Sequence, residues 1–353
     1  MSLDVALDPR TLEAAMRGDE RAFEHLIAPY RAELHAHCYR MLGSLADAED
    51  ALQDGLLRSW RGLARFEGRS SLRSWLYRIA TNSCLRLIER RPKRVLPVGY
   101  GPPTEAYGLP GEPLTESIWL EPLPDGMAGI PDGRAGPEAR YEQRESVELA
   151  FVAALQHLPA RQRAVLILRD VLGFAPAEIA ESLDTSAAAV SSALQRAHRT
   201  IDDLLPEQSQ QATLRALGDE RLRSVVTTYA EAWERGDIDA ILAMLTQDAA
   251  FAMPPRPTWY RGLEAIGAFL ASAPLRPGHR WRLVPVKAAG QTAFGTYLWD
   301  GQRWEAHAID VLTLSPDGRI AEITAFIGAT AFARFGLPGE LGEKRWIRGR
   351  ARI

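Results

Sequence analysis

Cysteine is scarce in this chain of 353 residues, and long apolar runs are missing. The two cysteines, Cys38 and Cys84, cannot build a disulfide framework, which predicts a protein of the reducing cytoplasm. No stretch of about 18 apolar residues is available to span a membrane, and the polar start "MSLDVALDPR" predicts no secretory signal. His35, His37 and Cys38 lack a convincing fourth ligand, so we expect no metal site and no cofactor.

The net charge of −3 conceals a strong asymmetry along the chain. Residues 61–94 contain ten basic and two acidic side chains, a net charge of +8. Residues 95–137 contain one basic and six acidic side chains, a net charge of −5, together with nine prolines. The first block predicts a surface that binds a polyanion, and the second predicts a flexible linker.

Composition and periodicity divide the chain into six segments. Helical periodicity fills the first segment and resumes at about residue 138, whereas the last third contains runs typical of strands. The predicted segments are a helical domain at 1–94, a Pro/Gly-rich linker at 95–137, a second helical domain at 138–205, a linker at 206–218, an α+β domain at 219–337 and a basic tail at 338–353.

The stretch "DAEDALQDGLLRSW", residues 47–60, predicts a helix with two different faces. At 3.6 residues per turn, one stripe is apolar and another carries three aspartates and one arginine. The acidic stripe is either a solvated helix face or a surface that docks on a basic partner. The stripes are Ala48, Leu52, Leu56 and Trp60 on the apolar side, and Asp47, Asp50, Asp54 and Arg58 on the acidic side.

Residues 174–201, "FAPAEIAESLDTSAAAVSSALQRAHRTI", predict two helices, at about 176–183 and 187–200, joined by a tight turn. This is the pattern of a helix-turn-helix, although a helical hairpin with no role on DNA fits the periodicity almost as well. After residue 219, helices come first, and strand-like runs with Gly and Asp-Gly turns follow. That order predicts an α+β domain with a curved antiparallel sheet.

Three stretches resemble one protein family in order and spacing: "DAEDALQDGLLRSW", "GRSSLRSWLYRIATNSCL" and "LPARQRAVLILRDVLGFAPAEIAESLDTSAAAVSSALQRA". They are similar to the second and fourth conserved regions of the extracytoplasmic-function (ECF) sigma factors of bacterial RNA polymerase. "WLEPLPDG", "FAMPPRPTWYRGLEAI" and "FGLP" resemble the actinobacterial members with a C-terminal SnoaL-like domain. The resemblance implies a multidomain fold: two all-α sigma domains, the second with a helix-turn-helix, and an α+β SnoaL/ketosteroid-isomerase-like cone.

The resemblance implies a sigma factor that binds core RNA polymerase and promoter DNA, melts the DNA and initiates transcription. In the family, the helix resembling 47–60 docks on the clamp helices of the polymerase β′ subunit, and the fourth region meets the β flap. The docking interpretation of the acidic stripe follows from this resemblance. The implied polymerase-binding residues are Asp47, Glu49, Asp50, Gln53 and Asp54, while Leu56 and Trp60 are expected in the domain core.

Melted promoter DNA needs a cationic groove for its phosphates and a pocket for an unstacked base. The loop at 66–71 and the helix after it resemble the family's pocket for a flipped base of the −10 element. Asn82 is the expected specificity residue, because an amide pairs with a base edge. Tyr77 is expected to stack on a base, and Trp75 is expected in the core. The −10 set is Arg69, Arg73, Arg78, Ile79, Asn82, Arg86 and Arg90.

The second helix of the helix-turn-helix is implied to read the −35 element. It has only two arginines, which predicts weak intrinsic binding to DNA. Gln195 could pair with adenine through two hydrogen bonds. The −35 set is Ser186, Ser191, Ser192, Gln195, Arg196 and Arg199.

The cone of this resemblance usually encloses an apolar cavity, which makes a small apolar ligand a candidate partner. His307 and Asp310 are three apart on a predicted strand, so they should face opposite sides of the sheet and form no catalytic dyad. We expect no enzyme activity, and we expect the cone to modulate the sigma domains in cis by gripping the linker. The expected cavity lining is Trp233, Met253, Trp259, Tyr260, Phe269, Trp299, His307 and Asp310, and the expected interdomain contact joins Trp119, Leu120 and Leu123 to Trp259 and Tyr260.

Two other classes of function compete with a sigma factor. A ligand-responsive DNA-binding regulator would use the helix-turn-helix but leaves the basic block and the helix at 47–60 unexplained. The other class is a cone-fold enzyme tethered to a DNA-binding module. Binding to core RNA polymerase separates the first interpretation from both alternatives.

Overall fold

The computed structural model of the chain describes residues 8–108, 110–114, 118–128 and 145–342. Within these ranges the chain forms two compact units. One contains the residues up to Arg94 and Gly126–Leu205, and the other contains Val95–Asp125 and the residues from Pro206 onward. The expected start of the second helical domain and most of the basic tail lie outside the described residues. No helix in the described ranges is long and apolar enough to cross a membrane.

Side-chain caps begin four helices in the N-terminal part of the first unit. Asp8, Asp19, Ser44 and Ser71 each accept a hydrogen bond from a backbone N–H of the first helical turn. Gly43, with φ 67°, ends the third helix in the left-handed conformation that glycine adopts readily. The helices are α1 (Pro9–Met16), α2 (Glu20–Ile27), α3 (Arg31–Leu42), α4 (Leu45–Leu63) and α5 (Leu72–Ile88).

Helices α3, α4 and α5 enclose the histidine and cysteine side chains of α3. Cys38 and Cys84 are both free thiols in the core. His37 is fully buried, and its Nε2 lies 2.9 Å from the hydroxyl of Thr81. Burial, together with the charge of Arg40, lowers the pKa of His37 to about 3, so the ring is neutral. Among the described residues, no group of His, Cys, Asp or Glu side chains is arranged to hold a metal ion.

The second half of the first unit contains the helix-turn-helix. Its two helices join at a turn where Asp184 has φ 48°, and Ile179, Leu183 and Val190 are buried between them. A π-helical turn, Ile167–Val171, precedes them. The helices of this half are α6 (Leu149–Leu155), α7 (Ala160–Leu166), α8 (Pro176–Ser182) and α9 (Ala187–Asp202).

Two buried arginines join α3 to the second half of the first unit. Arg40 donates from Nε to the backbone oxygen of Ser146 over 3.1 Å. Arg163 donates to the backbone oxygen of Met41 and, over 2.7 Å, to the side-chain oxygen of Gln156. A buried guanidinium is stable only where acceptors surround it, so each arginine requires its neighbours to stay in position.

The second unit is an α+β domain built on one strongly curved sheet. Its strands follow the order β2-β1-β6-β5-β4-β3, with β7 paired to β5. All strand pairs are antiparallel except β1 and β6, which run parallel. The prediction of an antiparallel sheet is therefore wrong for this one pair. The elements are α10 (Gln210–Arg235), α11 (Ile238–Ala243), β1 (Leu245–Ala252), β2 (Trp259–Arg261), α12 (Leu263–Ser272), β3 (Trp281–Ala288), β4 (Gln291–Trp299), β5 (Trp304–Leu314), β6 (Ile320–Ile327) and β7 (Glu340–Leu341).

Residues 206–218 were expected as a linker, but helix α10 begins within them, at Gln210. The side chain of Gln210 donates to the backbone oxygen of Leu314 and accepts from its N–H, both over 2.8 Å. Gln211 donates to the backbone oxygen of Gly290. These hydrogen bonds attach the segment to the sheet, and the helix is interrupted only at Gly218, where φ is 71° and ψ is 164°.

A cavity of about 50 Å³ lies inside the cone and has room for a few water molecules. Both His307 and Asp310 line it, so the expectation that they face opposite sides of the sheet is wrong. A β-bulge explains the difference, because Thr296 pairs with Ala308 and Tyr297 pairs with Ala306, which leaves His307 as an extra residue. Trp233, Met253 and Phe269 line the cavity as expected, whereas Trp259, Tyr260 and Trp299 do not.

Asp310 is an ionisable group in the apolar core of the cone. Only 3% of its surface is exposed, and burial raises its pKa to about 7. A carboxyl whose pKa is 3.8 in the unfolded chain and about 7 in the folded one favours folding below pH 4. That advantage is lost as pH rises through 7, at a cost on the order of 4 kcal/mol.

We therefore expect Asp310→Asn to raise the free energy of unfolding of the cone at pH 8 and to flatten its decline between pH 5 and pH 8. Urea unfolding followed by tryptophan fluorescence measures both effects, since five of the nine tryptophans lie between residues 233 and 304. Asp300→Asn, at an exposed aspartate with a lowered pKa, is the matched control. Parallel stability curves for the wild type and Asp310→Asn would show that the buried carboxyl carries its charge without cost.

Candidate functional site

Asp47 does not belong to the exposed surface of α4, contrary to the expectation that it binds the polymerase. Its side chain is 6% exposed and accepts from Arg94, and Arg91 lies 3.5 Å away. Both arginines follow α5, so Asp47 neutralises the basic segment after that helix. The sequence pattern misplaced Asp47 because helical periodicity does not show which neighbouring segment covers a stripe.

Asp54 is also committed to contacts within the domain. Its carboxylate accepts from Arg58 at 2.8 Å, from the Ser83 hydroxyl at 2.8 Å and from Arg86 at 3.3 Å. Partial burial alone would raise the pKa of Asp54, but the hydrogen bonds from Arg58 and Ser83 outweigh it and hold the pKa below its usual value. Arg86, expected to hold a DNA phosphate, is engaged by the same carboxylate.

The remaining surface of α4 combines charge with an exposed apolar side chain. Glu49, Asp50 and Gln53 are exposed, and Leu57 is 56% exposed one turn beyond Gln53. We call these four residues the α4 strip. Leu56 and Trp60, expected in the core, are only half-buried, and Trp60 packs edge-on against Phe23 at 5.0 Å between ring centroids. Leu57 was not among the expected polymerase-binding residues, although it falls outside the apolar stripe that contains Leu56.

Helix α5 and the residues that flank it contain the set expected to contact the −10 element. Asn82 and Ile79 are half-buried, whereas Arg69 and Arg90 are exposed. Arg69 forms only a solvated ion pair with Glu67 at 3.0 Å, which screening weakens. The surface therefore offers a half-buried amide flanked by arginines that can reach phosphates.

Two of the expected −10 residues belong to the interior instead. Arg73 lies between the rings of Tyr77 and Phe174, 4.9 Å and 4.7 Å from their centroids, and pairs with Glu33 at 3.5 Å. Tyr77 is fully buried and donates its hydroxyl to Glu33 over 3.0 Å, so it cannot stack on a base. Trp75 packs against Phe66 and is half-buried. Two of the partners of Arg73, Phe174 and Glu33, are distant in sequence, which is why its position could not be foreseen.

The helix-turn-helix packs against α5. The hydroxyl of Ser74 donates to Glu178 over 3.1 Å, and Arg78 pairs with Asp184 at 3.1 Å. The ring of Phe174 meets that of Tyr77 at 5.3 Å between centroids. Arg78, expected to hold a phosphate, is therefore paired with a carboxylate of the tight turn.

Helix α9 exposes the whole expected −35 set. Ser186 caps the helix by accepting from the N–H of Ala189, and Ser191 donates to the backbone of its own helix over 3.1 Å. Ser192 accepts from Arg196 over 2.6 Å. Gln195 and Arg199 are exposed as well, so an amide and a guanidinium project from the middle and the end of the helix.

The described part of the linker is fastened to residues 253–262 of the cone, a segment that includes strand β2. Thr104 donates its N–H to the backbone oxygen of Trp259 over 2.7 Å. The Trp259 indole donates to Gly101 over 2.9 Å, and the Tyr260 hydroxyl donates to Gly108 over 2.8 Å. Arg256 donates to the backbone oxygen of Gly111. We call the described residues between 95 and 125 the strap.

Trp119 does not pack on Trp259 or Tyr260 as expected. It pairs with Val95 through a backbone bridge and meets Tyr100 edge-on, at 5.4 Å between ring centroids. Leu120 and Leu123 are fully buried in the same unit. The turn between β3 and β4 holds this end of the strap: Ala289 donates its N–H to Leu123 over 2.6 Å, and Gly290 donates to Asp125 over 2.8 Å.

Family models match three parts of the chain. Residues 26–94 match Sigma-70 region 2, residues 148–201 match Sigma-70 region 4, and residues 226–323 match a SnoaL-like domain. The matches confirm the expected fold class of two helical sigma domains and a sheet-containing cone.

Individual relatives agree with these models. The chain is 43% identical to the ECF RNA polymerase sigma factor SigG of Mycobacterium tuberculosis over 326 residues, 92% of this chain and 85% of that protein. It is 25% identical to the ECF RNA polymerase sigma factor SigW of Bacillus subtilis over 195 residues, 54% of this chain and 93% of that protein. The crystal structure of the Mycobacterium tuberculosis extracytoplasmic function sigma factor SigJ covers 87% of this chain and 97% of its own, with a TM-score of 0.53 and 21% identity, and supports the fold.

The sequence motifs, the helix-turn-helix packed on α5 and the identity to SigG over most of both chains agree with one another. The resemblance noted in the sequence is confirmed. This chain belongs to the ECF sigma factors of bacterial RNA polymerase and carries a C-terminal SnoaL-like domain.

Proposed function

We propose that the protein binds core RNA polymerase, recognises the −10 and −35 elements of a promoter, melts the DNA and initiates transcription in the cytoplasm. One observation carries the proposal: a single helical domain presents the exposed α4 strip and, on the adjoining helix, a basic surface around Asn82. A protein-docking strip beside a nucleic-acid surface is what a promoter-recognition subunit requires.

The α4 strip is the proposed contact with the clamp helices of the polymerase β′ subunit. An apolar side chain exposed among acidic and amide groups is typical of a protein interface, where the apolar group is buried and the charges select the partner. Asp47 and Asp54 form ion pairs within the domain, with Arg94 and Arg86 respectively. Neither is therefore proposed as a contact with the polymerase. The contact of region 4 with the β flap is proposed from the family alone.

We expect the double variant Asp50→Lys and Leu57→Glu to lose holoenzyme formation, because it reverses one charge of the α4 strip and makes its apolar anchor polar. Loss of an interface anchor typically costs about 2 kcal/mol or more, roughly thirtyfold in affinity. Fluorescence anisotropy of labelled protein with core RNA polymerase measures the change. Glu24→Lys, an exposed reversal on α2, is the control. Wild-type affinity in the double variant would exclude the α4 strip as the docking surface.

The proposed −10 contacts are a subset of the expected ones. Asn82 and Ile79 are proposed to line the pocket of a flipped base, while Arg69 and Arg90 hold phosphates without first breaking an internal bond of the core. Arg78 and Arg86 can join them only after leaving Asp184 and Asp54. Arg73 is not proposed as a DNA contact, because its guanidinium is enclosed by two rings and a glutamate.

We expect Asn82→Ala to change the base preference at one position of the −10 element, with a loss of about 1–3 kcal/mol for the preferred base. Arg90→Ala should weaken binding to all promoters alike and reduce the dependence on salt, because it removes one phosphate contact. Holoenzyme binding to a panel of single-base promoter variants at two salt concentrations separates the two effects. A uniform loss for Asn82→Ala would assign Asn82 to the fold of the domain.

The proposed −35 contacts are those of α9, with Gln195 as the residue able to pair with adenine. Arg196 and Arg199 supply the cationic side chains, and Ser186, Ser191 and Ser192 supply hydroxyls that their own helix already uses. With so few cations, α9 contributes little affinity by itself, and the polymerase supplies the rest.

The SnoaL-like domain is proposed to modulate the sigma domains in cis through the strap. The chain leaves region 2 at Arg94 and reaches region 4 only after the strap, so the connection between the two DNA-binding regions is fastened to the cone. Its cavity of only about 50 Å³ supports a structural role, since pockets for small molecules commonly exceed about 300 Å³. The curated relatives are named as sigma factors, and the proposal assigns no catalysis to His307 or Asp310.

We expect Tyr260→Phe to loosen the strap and to change the yield of run-off transcription while core polymerase binding stays intact. The substitution removes the hydrogen bond to Gly108, worth about 1 kcal/mol, so amide exchange in the strap should accelerate about fivefold. Tyr297→Phe is a matched control, because that hydroxyl donates over 2.9 Å to Pro338, outside the strap. If both variants transcribe like the wild type although exchange is faster only in Tyr260→Phe, the strap does not regulate initiation.

A further inference from the structure

A basic cleft lies within the first unit, between the end of α5 and the connection from α6 to α7. Its volume is about 410 Å³, within the range of pockets that hold small molecules. Region 2 contributes the segment Arg91–Arg94 and Asp47, and region 4 contributes Gln156–Ala160 and Arg163. We call this space the region 2–region 4 cleft.

The charges that line the cleft are unbalanced. Arg91, Lys93, Arg94 and Arg163 contribute four cations, and Asp47 is the only carboxylate among the described residues that line it. Asp47 is occupied by Arg94, so its charge is already compensated within the wall. Arg91, whose side chain is 45% exposed, and Lys93 line the region 2 side of the cleft, where both would attract a bound anion.

Basic side chains lie close together in this space. Lys93 Nζ lies 3.0 Å from His157 Nδ1 across the cleft. Burial and Arg163 lower the pKa of Lys93, and burial, Lys93 and Arg163 lower the pKa of His157. A negative group in the cleft would offset the charge of Arg163 that, together with burial, lowers the pKa of Lys93.

We propose that the region 2–region 4 cleft binds a small phosphorylated anion, with Arg91 and Lys93 as its principal ligands. Arg91 is suited to the role because its side chain is 45% exposed and its pair with Asp47 is long, at 3.5 Å. Guanidinium and ammonium groups are the side chains that hold phosphate oxygens most strongly. The volume of about 410 Å³ suits a diphosphate group or a nucleotide, and it is too small to hold a DNA duplex.

The ligand would bridge the two DNA-binding regions. Arg91 and Lys93 follow the last helix of region 2, whereas His157 and Arg163 belong to region 4. A ligand held by both sides stabilises the packed arrangement of the two regions by mass action. The cleft is thus a binding site through which a phosphorylated small molecule can favour that arrangement.

Isothermal titration calorimetry of the full chain tests the proposal, with sodium pyrophosphate, ATP and inorganic phosphate as probes at one ionic strength. We expect saturable binding of pyrophosphate or ATP at one site per chain. Arg91→Ala with Lys93→Ala should weaken it roughly tenfold or more. Equal affinities for pyrophosphate and ATP mean recognition of the phosphates alone, and tighter ATP binding means that the nucleoside contributes. Both results support the cleft.

Arg161→Ala is the matched control, because Arg161 is exposed on α7 next to the cleft but does not line it. Absence of saturable binding for all three probes would overturn the proposal, and so would an equal loss of affinity in the Arg161→Ala control. Amide exchange provides a second measurement that needs no variant. Pyrophosphate should slow exchange at residues 91–94 and 156–160, and slowing confined to α9 would assign the anion to the DNA-binding surface instead.

Discussion

The second unit depends on hydrogen bonds that side chains of the cone donate to the strap, a segment poor in backbone N–H groups. Proline has no N–H, and a Pro/Gly-rich segment leaves many carbonyl oxygens without backbone partners, so burying it is costly. The cone provides donors where the strap needs them, from the indole of Trp259, the hydroxyl of Tyr260 and the guanidinium of Arg256. These bonds explain why a segment with a linker's composition belongs to a folded unit.

The first unit follows a different constraint, the compensation of a dense positive charge. Its basic block can fold only because three carboxylates form ion pairs with arginines of the block. These pairs are Asp47 with Arg94, Asp54 with Arg86, and Glu33 with Arg73. The arginines that remain exposed are those available to nucleic acid. The same ion pairs thus divide the block into residues that hold the domain together and residues that can contact DNA.

Sequence reasoning succeeded where the signal is local and failed where it depends on contacts far along the chain. The helix-turn-helix and the class of the C-terminal domain both follow from short patterns. The burial of Asp47 and the enclosure of Arg73 depend on partners 47 and 101 residues away, respectively, in sequence. The bulge that turns His307 into the cavity depends on strand register, which alternation alone does not specify.

The ion pair between Arg78 and Asp184 affects how the salt dependence of DNA binding is interpreted. An arginine that already has a carboxylate partner attracts fewer solution anions, so transferring it to a phosphate is an exchange of partners. In such an exchange, one condensed ion leaves the DNA. At the same time, the carboxylate loses its arginine and becomes exposed to solvent. The number of phosphate contacts is obtained from the slope of log K against log salt concentration. That number would then differ from the number of arginines on the surface. The difference would measure how many arginines had exchanged a carboxylate for a phosphate.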